Sequence, residues 1–122
     1  MKKKYRLLKS ADFQTLLRRG SNAFSTHLVC YWKPDSLITN IKIGIIIPKK
    51  KCKLSCNRKY YKRVFWAINN KELLNACPKI KCVFFYKDVF FERFKKQEVT
   101  FADLQNEYLN LMSYLEKKAS RR

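Results

Sequence analysis

Apolar positions along this chain recur with two different periods, and the changes of period divide it into elements. Ser10 precedes Ala11-Asp12-Phe13-Gln14, an N-cap with an acidic first turn. Phe13, Leu16 and Leu17 follow at helical spacing and Gly20 closes the segment after Arg18-Arg19, so a short helix is predicted over 11–19. Phe24 to Lys33 is rich in β-formers (Val29, Tyr31, Trp32) and stops at Pro34-Asp35. It reads as a strand long enough to be bent or split. Ile41-Lys42-Ile43-Gly44-Ile45-Ile46-Ile47 reads as a second, buried strand ended by Pro48. A central amphipathic helix is predicted from about Leu54 or Ser55 to Asn75, with Pro78 preventing its continuation.

Lys81-Cys82-Val83-Phe84-Phe85-Tyr86 is the last predicted strand, and Phe90-Phe91-Glu92-Arg93-Phe94 is an aromatic connector that periodicity does not assign. Thr100 caps a final helix, with Phe101, Leu104, Tyr108, Leu111 and Leu115 at three- and four-residue spacing. Asp103, Glu107 and Glu116 make this helix the least basic part of the chain, a packing element. The order predicts an α+β fold, a mixed four-stranded sheet packed with three helices in a single domain spanning residues 1–122.

Charge changes the picture most at the central helix. The 122 residues carry 28 Lys and Arg against 9 Asp and Glu, a net charge of +19. A small domain needs a net magnitude of only about 2–8 for solubility. The excess repels itself in the compact state unless a polyanion neutralises it. Arg58-Lys59-Tyr60-Tyr61-Lys62-Arg63 concentrates four cations at the start of the helix, after the basic loop Pro48-Lys49-Lys50-Lys51. At roughly 100° per residue, Arg58, Lys59, Lys62, Arg63 and Trp66 fall within an arc of about 140°. Tyr61, Val64, Phe65, Ile68 and Glu72 lie opposite. One face is built for burial and the other for a long anion, and RNA is the expected partner.

Aromatic residues beside backbone-tracking cations hold single-stranded RNA, at roughly 1–3 kcal/mol per stacked base. The candidates are Phe13 on the first helix, His27 and Tyr31 on the first strand, and Tyr60 and Trp66 on the central helix; packing in the core is the competing role for each. Catalysis by the polypeptide alone is disfavoured. The only histidine, His27, lies in a strand-like run where a packing role is the commoner one, and no carboxylate lies within the basic segment. Neither of the two glycines opens a phosphate-binding loop.

Five cysteines form an odd set, so a disulfide framework is not expected. Cys52-x3-Cys56 and Cys77-x4-Cys82 could supply four thiolates, but the spacings are loose and no CxxC pair or nearby histidine supports zinc. Cys30 and Cys82 sit in apolar runs as small core residues. The basic N-terminus is not followed by an apolar run, and no segment approaches the ~20 apolar residues of a membrane span. The expected location is the cytoplasm.

These motifs resemble the protein subunit of bacterial ribonuclease P. Tyr5-Arg6-Leu7, Asp12-Phe13-Gln14 and Arg18-Arg19-Gly20 match that family's opening helix. Leu28-Val29-Cys30-Tyr31 is similar to its first strand, and Ile43-Gly44-Ile45-Ile46-Ile47-Pro48-Lys49-Lys50 to the strand that leads into its basic helix. Arg58-Lys59-Tyr60-Tyr61-Lys62-Arg63 falls on the family's Arg-Asn-Arg-x-Lys-Arg signature, with Lys59 at the asparagine, Tyr60 at the second arginine and Trp66 at a later one. A one-residue shift would align Asn57-Arg58 instead and displace Lys62-Arg63; the first register keeps three cations in place. The resemblance runs from Tyr5 to about Asn75, and beyond it only the order of elements agrees.

The resemblance implies a division of labour. Lys49, Lys50, Lys51, Arg58, Lys59, Lys62 and Arg63 would dock on a catalytic RNA. A cleft of Phe13, Leu17, Tyr31, Tyr60 and Trp66, between the central helix and the sheet, would hold the single-stranded 5′ leader of precursor tRNA. Mg2+ and the hydrolysis would reside mainly in the RNA subunit, and the protein would be monomeric. The strand-helix-strand crossover would be left-handed, against the usual rule. The alternative function, from the residues alone, is a structural RNA-binding protein of the ribosomal type.

Overall fold

The computed structural model describes residues 5–7, 10–35, 40–48, 55–69 and 79–120. Its elements are α1 (Ser10–Arg19), β1 (Ser21–Phe24), β2 (Leu28–Pro34), β3 (Lys42–Ile46), α2 (Ser55–Ala67), β4 (Ile80–Tyr86), α3 (Asp88–Lys95) and α4 (Phe101–Ser120). The strands form one mixed sheet in the order β1-β2-β4-β3. β1, β2 and β4 pair antiparallel in turn, while β3 runs parallel to β4. The Tyr5–Leu7 segment adds to the outer side of β3, where the Leu7 N–H donates to the Ile43 carbonyl at 2.9 Å.

The α+β architecture expected from the sequence is the one observed, with three differences of detail, the first settling a point the sequence leaves open. The long first strand is split: Phe24 ends β1, and a tight turn at Ser25-Thr26-His27 sends the chain back as β2. Its closure combines a backbone and a side-chain bond: the Ser25 N–H donates to the Leu28 carbonyl at 2.9 Å and the Leu28 N–H donates to Ser25 Oγ at 3.2 Å. The unassigned aromatic connector is a fourth helix, α3. It ends in a paired cap, in which Gln97 takes a positive φ of 61° and the N–H groups of Gln97 and Glu98 donate to the carbonyls of Phe94 and Arg93.

The third difference is at α2, which ends at Ala67 and not near Asn75; residues 70–75 lie outside the described residues. Side chains terminate it. The Asn69 amide folds back to donate to the Phe65 carbonyl at 3.0 Å, and Gln105 of α4 donates to the Ile68 carbonyl at 3.2 Å. The Tyr108 hydroxyl in turn donates to Asn69 Oδ1 at 2.5 Å. The carbonyls at this helix end are thus satisfied by Asn69, which α4 holds through Tyr108, and by Gln105 of α4. The predicted N-cap of α4 is present as a reciprocal pair: Asp103 N–H to Thr100 Oγ1 at 3.1 Å and Thr100 N–H to Asp103 Oδ2 at 3.0 Å.

Strand alternation assigns the sheet two unlike faces. Ala23, Leu28, Cys30, Trp32, Ile43, Ile45, Cys82, Phe84 and Tyr86 point to one, where α2, α3 and α4 cover them. The four residues predicted for the buried side of α2, Tyr61, Val64, Phe65 and Ile68, are all buried there. Aromatic rings dominate: Phe65 meets Phe84 at 5.2 Å and Tyr108 at 5.6 Å between centroids, and Tyr86 stacks on Phe90 at 4.3 Å. Phe101, read as a core position, is instead exposed at the start of α4. Cys30 and Cys82 are buried free thiols, and burial pushes the Cys82 thiol well up from its ordinary value.

The other face carries Val29, Tyr31, Val83, Phe85 and Ile46, and among the described helices α1 is the one that crosses it. Its closest approach is to β3. A Cβ added to Gly44 would lie 2.5 Å from the Phe13 ring, so the absence of a side chain there is what lets α1 sit down on the sheet. A polar anchor holds the other end of the contact: Lys81 of β4 bridges Asp12 of α1 at 3.1 Å and Asp35 at 3.2 Å. Burial opposes the charge on Lys81, but the two carboxylates outweigh it and raise its pKa above 10.5.

Candidate nucleic-acid interface

Register places the residues of the open face in rows across the sheet. Phe24, Val29, Phe85 and Ile46 form one row, one residue from each strand, and Asn22, Tyr31, Val83 and Gly44 form the next. Phe13, Leu16 and Leu7 pack on these rows, with α1 over β4 and part of β2, and Phe24 at the β1 end is left exposed. The result is a cleft of about 420 Å³ between α1 and the sheet, with Leu17 and Pro48 along its rim and Val29, Tyr31, Phe85 and Lys87 in its wall. Tyr31 and Phe85 meet edge to face at 6.0 Å, which fixes both ring planes.

Two of the five residues expected in the leader cleft, Leu17 and Tyr31, come together in its lining. Phe13 is half-buried and packs beside them, over Gly44 and against the cluster of Leu7, Leu16 and Val83, while Leu17 is 43% exposed. Tyr60 and Trp66 are not brought to them. Both belong to α2, which packs against the opposite face of the sheet. Tyr60 lies against Tyr61 at 5.5 Å and Phe94 at 6.3 Å, and Trp66 lies against Phe65 at 5.1 Å with the Arg6 guanidinium 5.3 Å from its ring. The helical wheel gives a residue's direction about its own axis. It does not say which side of the sheet that helix occupies, and that is why these two rings were grouped with Tyr31.

The cationic arc of α2 faces outward as predicted. Lys59, Lys62 and Arg63 are exposed and Arg58 is half-exposed. Among the described residues no salt bridge engages Lys59, Lys62 or Arg63, and α2 carries no acidic residue from Ser55 to Ala67. Their charge is therefore available to an outside anion. Lys49, Lys50 and Lys51, also expected on this surface, lie outside the described residues.

His27 has the packing role. It is buried, with Nδ1 2.8 Å from Glu107 Oε2 and Nε2 2.8 Å from Arg93 Nη1. Arg93 can only donate, so Nε2 accepts and Nδ1 donates to Glu107. Glu107 also accepts from the His27 N–H at 2.5 Å and from the Ser25 hydroxyl. Burial pushes the Glu107 carboxyl up, but these hydrogen bonds outweigh it and hold the pKa below its ordinary 4.5. One carboxylate of α4 thus clamps the β1–β2 turn. Sequence reading placed Glu107 only as a charge on the final helix, because a contact across 80 positions leaves no local pattern.

Among the described residues no group of three or more His, Cys, Asp or Glu has the arrangement of a metal site, and no helix is long and apolar enough to cross a membrane. What the geometry offers is a largely aromatic cleft with Lys87 and Asp88 in its lining and, on another helix, an outward row of cations.

Comparison with known proteins bears on this arrangement. The ribonuclease P family model matches residues 1–116. The ribonuclease P protein component of Staphylococcus carnosus is 42% identical over 50 residues, covering 41% of this chain and 44% of that protein. That of Mycoplasmopsis synoviae is 36% identical over 78 residues, covering 64% and 66% respectively. These alignments thus span under half of one relative and just under two thirds of the other. Among solved structures, the fold is similar to a Staphylococcus aureus RNase P protein mutant with defective mRNA degradation activity. Its TM-score is 0.73 at 20% identity, over 91% of this chain and 87% of that one. The RNase P protein from Thermotoga maritima gives a TM-score of 0.72 at 22% identity, over 88% and 94%. The family match over nearly the whole length identifies this chain as a member of the ribonuclease P protein family.

Proposed function

We propose that the chain is the protein subunit of a ribonucleoprotein endoribonuclease that removes 5′ leaders from precursor tRNA. The observation that carries this reading is the half-covered sheet face, where α1 leaves Tyr31, Phe85 and Val29 accessible beside Lys87. A single strand laid along such a cleft can stack bases on the rings while cations follow its phosphates. The duplex body of a tRNA could not enter it. The cationic arc of α2 would dock on the catalytic RNA, and each phosphate neutralised there contributes a salt slope of roughly −0.7 to −0.9. Lys59, at the position of the family's asparagine, adds a cation to that arc.

The charged residues that line the cleft are Lys87 and Asp88, to which no catalytic role is assigned; the hydrolysis is assigned to the RNA subunit, which would also hold most of the Mg2+. The protein's own part is to fix the leader and so to orient the precursor. It would act as a monomer in the cytoplasm.

The test is 5′ processing of a precursor tRNA by a catalytic ribonuclease P RNA at low magnesium, with and without the protein. Stimulation that is abolished in the Lys62→Ala, Arg63→Ala double variant is expected. No stimulation, together with tight binding to unrelated structured RNA, would make the chain a structural RNA-binding protein of the ribosomal type.

A further inference from the structure

Phe24 is 63% exposed, the most exposed of the large apolar side chains among the described residues. Scattered exposed apolar residues are ordinary, so its surroundings must decide what it does. Phe24 pairs with Val29, and Val29 pairs with Phe85. Directly paired residues of adjacent strands point to the same face. Phe24 therefore stands on the open face, one strand spacing (about 4.8 Å) beyond the wall of the cleft. Lys87, itself part of that wall, holds its ammonium 5.5 Å from the centre of the Phe24 ring. Asn22, exposed and paired with Tyr31, adds an amide on the same face.

We infer that Phe24 and Lys87 form a further nucleotide position, which extends the leader path from the cleft to the β1 edge of the sheet. A nucleotide brings both groups this pair can use. Its base stacks on the ring, while Lys87 turns its ammonium from the ring to the phosphate. The path ends there. β1 is an edge strand, and the groove beyond it, shared with α4, is lined by Asn22 and Phe24 as well as by Glu107, whose carboxylate repels a phosphate backbone. The same Glu107, through Ser25 and His27, holds the turn that follows Phe24 and so keeps the ring in place. The occupant is single-stranded RNA, and the assignment rests on the proposal that the leader lies in the cleft.

The experiment measures affinity of the reconstituted particle for leaderless, short-leader and long-leader forms of one precursor tRNA, with Phe24→Ala, Phe24→Tyr and Tyr31→Ala proteins. Phe24→Ala should weaken only the long-leader form, by about five-fold or more, and Phe24→Tyr should restore it. Tyr31→Ala should weaken both leader-bearing forms. Phe24 is exposed, so its variants should melt like the parent. Loss with Tyr31→Ala but none with Phe24→Ala would overturn the inference and leave the cleft reading standing. No loss with either would remove both. Equal loss on the leaderless form would place Phe24 against the catalytic RNA or the tRNA body, and would overturn it as well.

Discussion

The two faces of the sheet are made from the same strands by simple alternation, yet they do opposite work. On one face three helices close over Leu28, Cys30, Phe84 and Tyr86, and rings from α2, α3 and α4 interlock until little is left exposed. On the other a single ten-residue helix crosses the sheet and stops, leaving Tyr31 and Phe85 half-exposed and Phe24 in the open. Stability is concentrated where the rings are covered, and the proposed binding surface lies where they are not. A strand residue is assigned to one task or the other by its parity alone.

Substitutions on the two faces should therefore separate. Phe84→Ala, in the middle of the covered face, is expected to cost about 3–5 kcal/mol of stability. Tyr31→Ala removes one edge-to-face pair and should cost about 1 kcal/mol, its main effect falling on RNA binding. Urea unfolding of both variants measures the difference, and equal costs would erase the distinction between the faces.

Gly44→Ala tests how α1 is held against the open face. The new methyl would meet the Phe13 ring at 2.5 Å, so overpacking should cost about 1–3 kcal/mol. In a Phe13→Ala background the penalty should largely vanish, which a double-mutant cycle would read directly. A cost that persists there would mean that β3 itself, not the α1 contact, resists the substitution.

A smaller effect is expected at Glu107, which joins the covered side to the β1–β2 turn. Its pKa is held below 4.5 in the folded state. Its contribution is therefore fully present above that value and is lost as the pH falls through the lowered one. Glu107→Gln should flatten the acid limb of stability as the pH falls below 4.5. An unchanged acid limb would show that the clamp contributes no pH-dependent stability.

The smallest stability effect belongs to the surface that neither face includes. Lys62→Ala, Arg63→Ala should change stability by no more than about 0.5 kcal/mol. It should nevertheless reduce the salt slope of RNA binding by about 1.4–1.8. An unchanged slope would mean that α2 is not where RNA docks.

Much of this was legible in the residues because it rests on local period. The buried side of α2, the Thr100 cap and the breaks at Gly20 and Pro48 each follow from neighbours within a few positions. The hairpin after Phe24 was hidden because Ser25-Thr26-His27 contains no Gly, Pro, Asn or Asp, and its closure depends on Glu107, far along the chain. Phe90, Phe91 and Phe94 gave no clear period because α3 buries them against Tyr61 and Tyr86, partners from two other elements. Tyr60 and Trp66 were misplaced for a related reason. Their helix was identified, but the side of the sheet it covers is a tertiary fact.

The most direct test of the division between the faces is the ratio of affinities for precursor and mature tRNA in the reconstituted particle, for the parent and for Tyr31→Ala. The account predicts that Tyr31→Ala weakens precursor binding and leaves mature tRNA binding unchanged, so that the ratio falls. Equal weakening of both would return Tyr31 to the core and contradict the assignment of the open face to the leader.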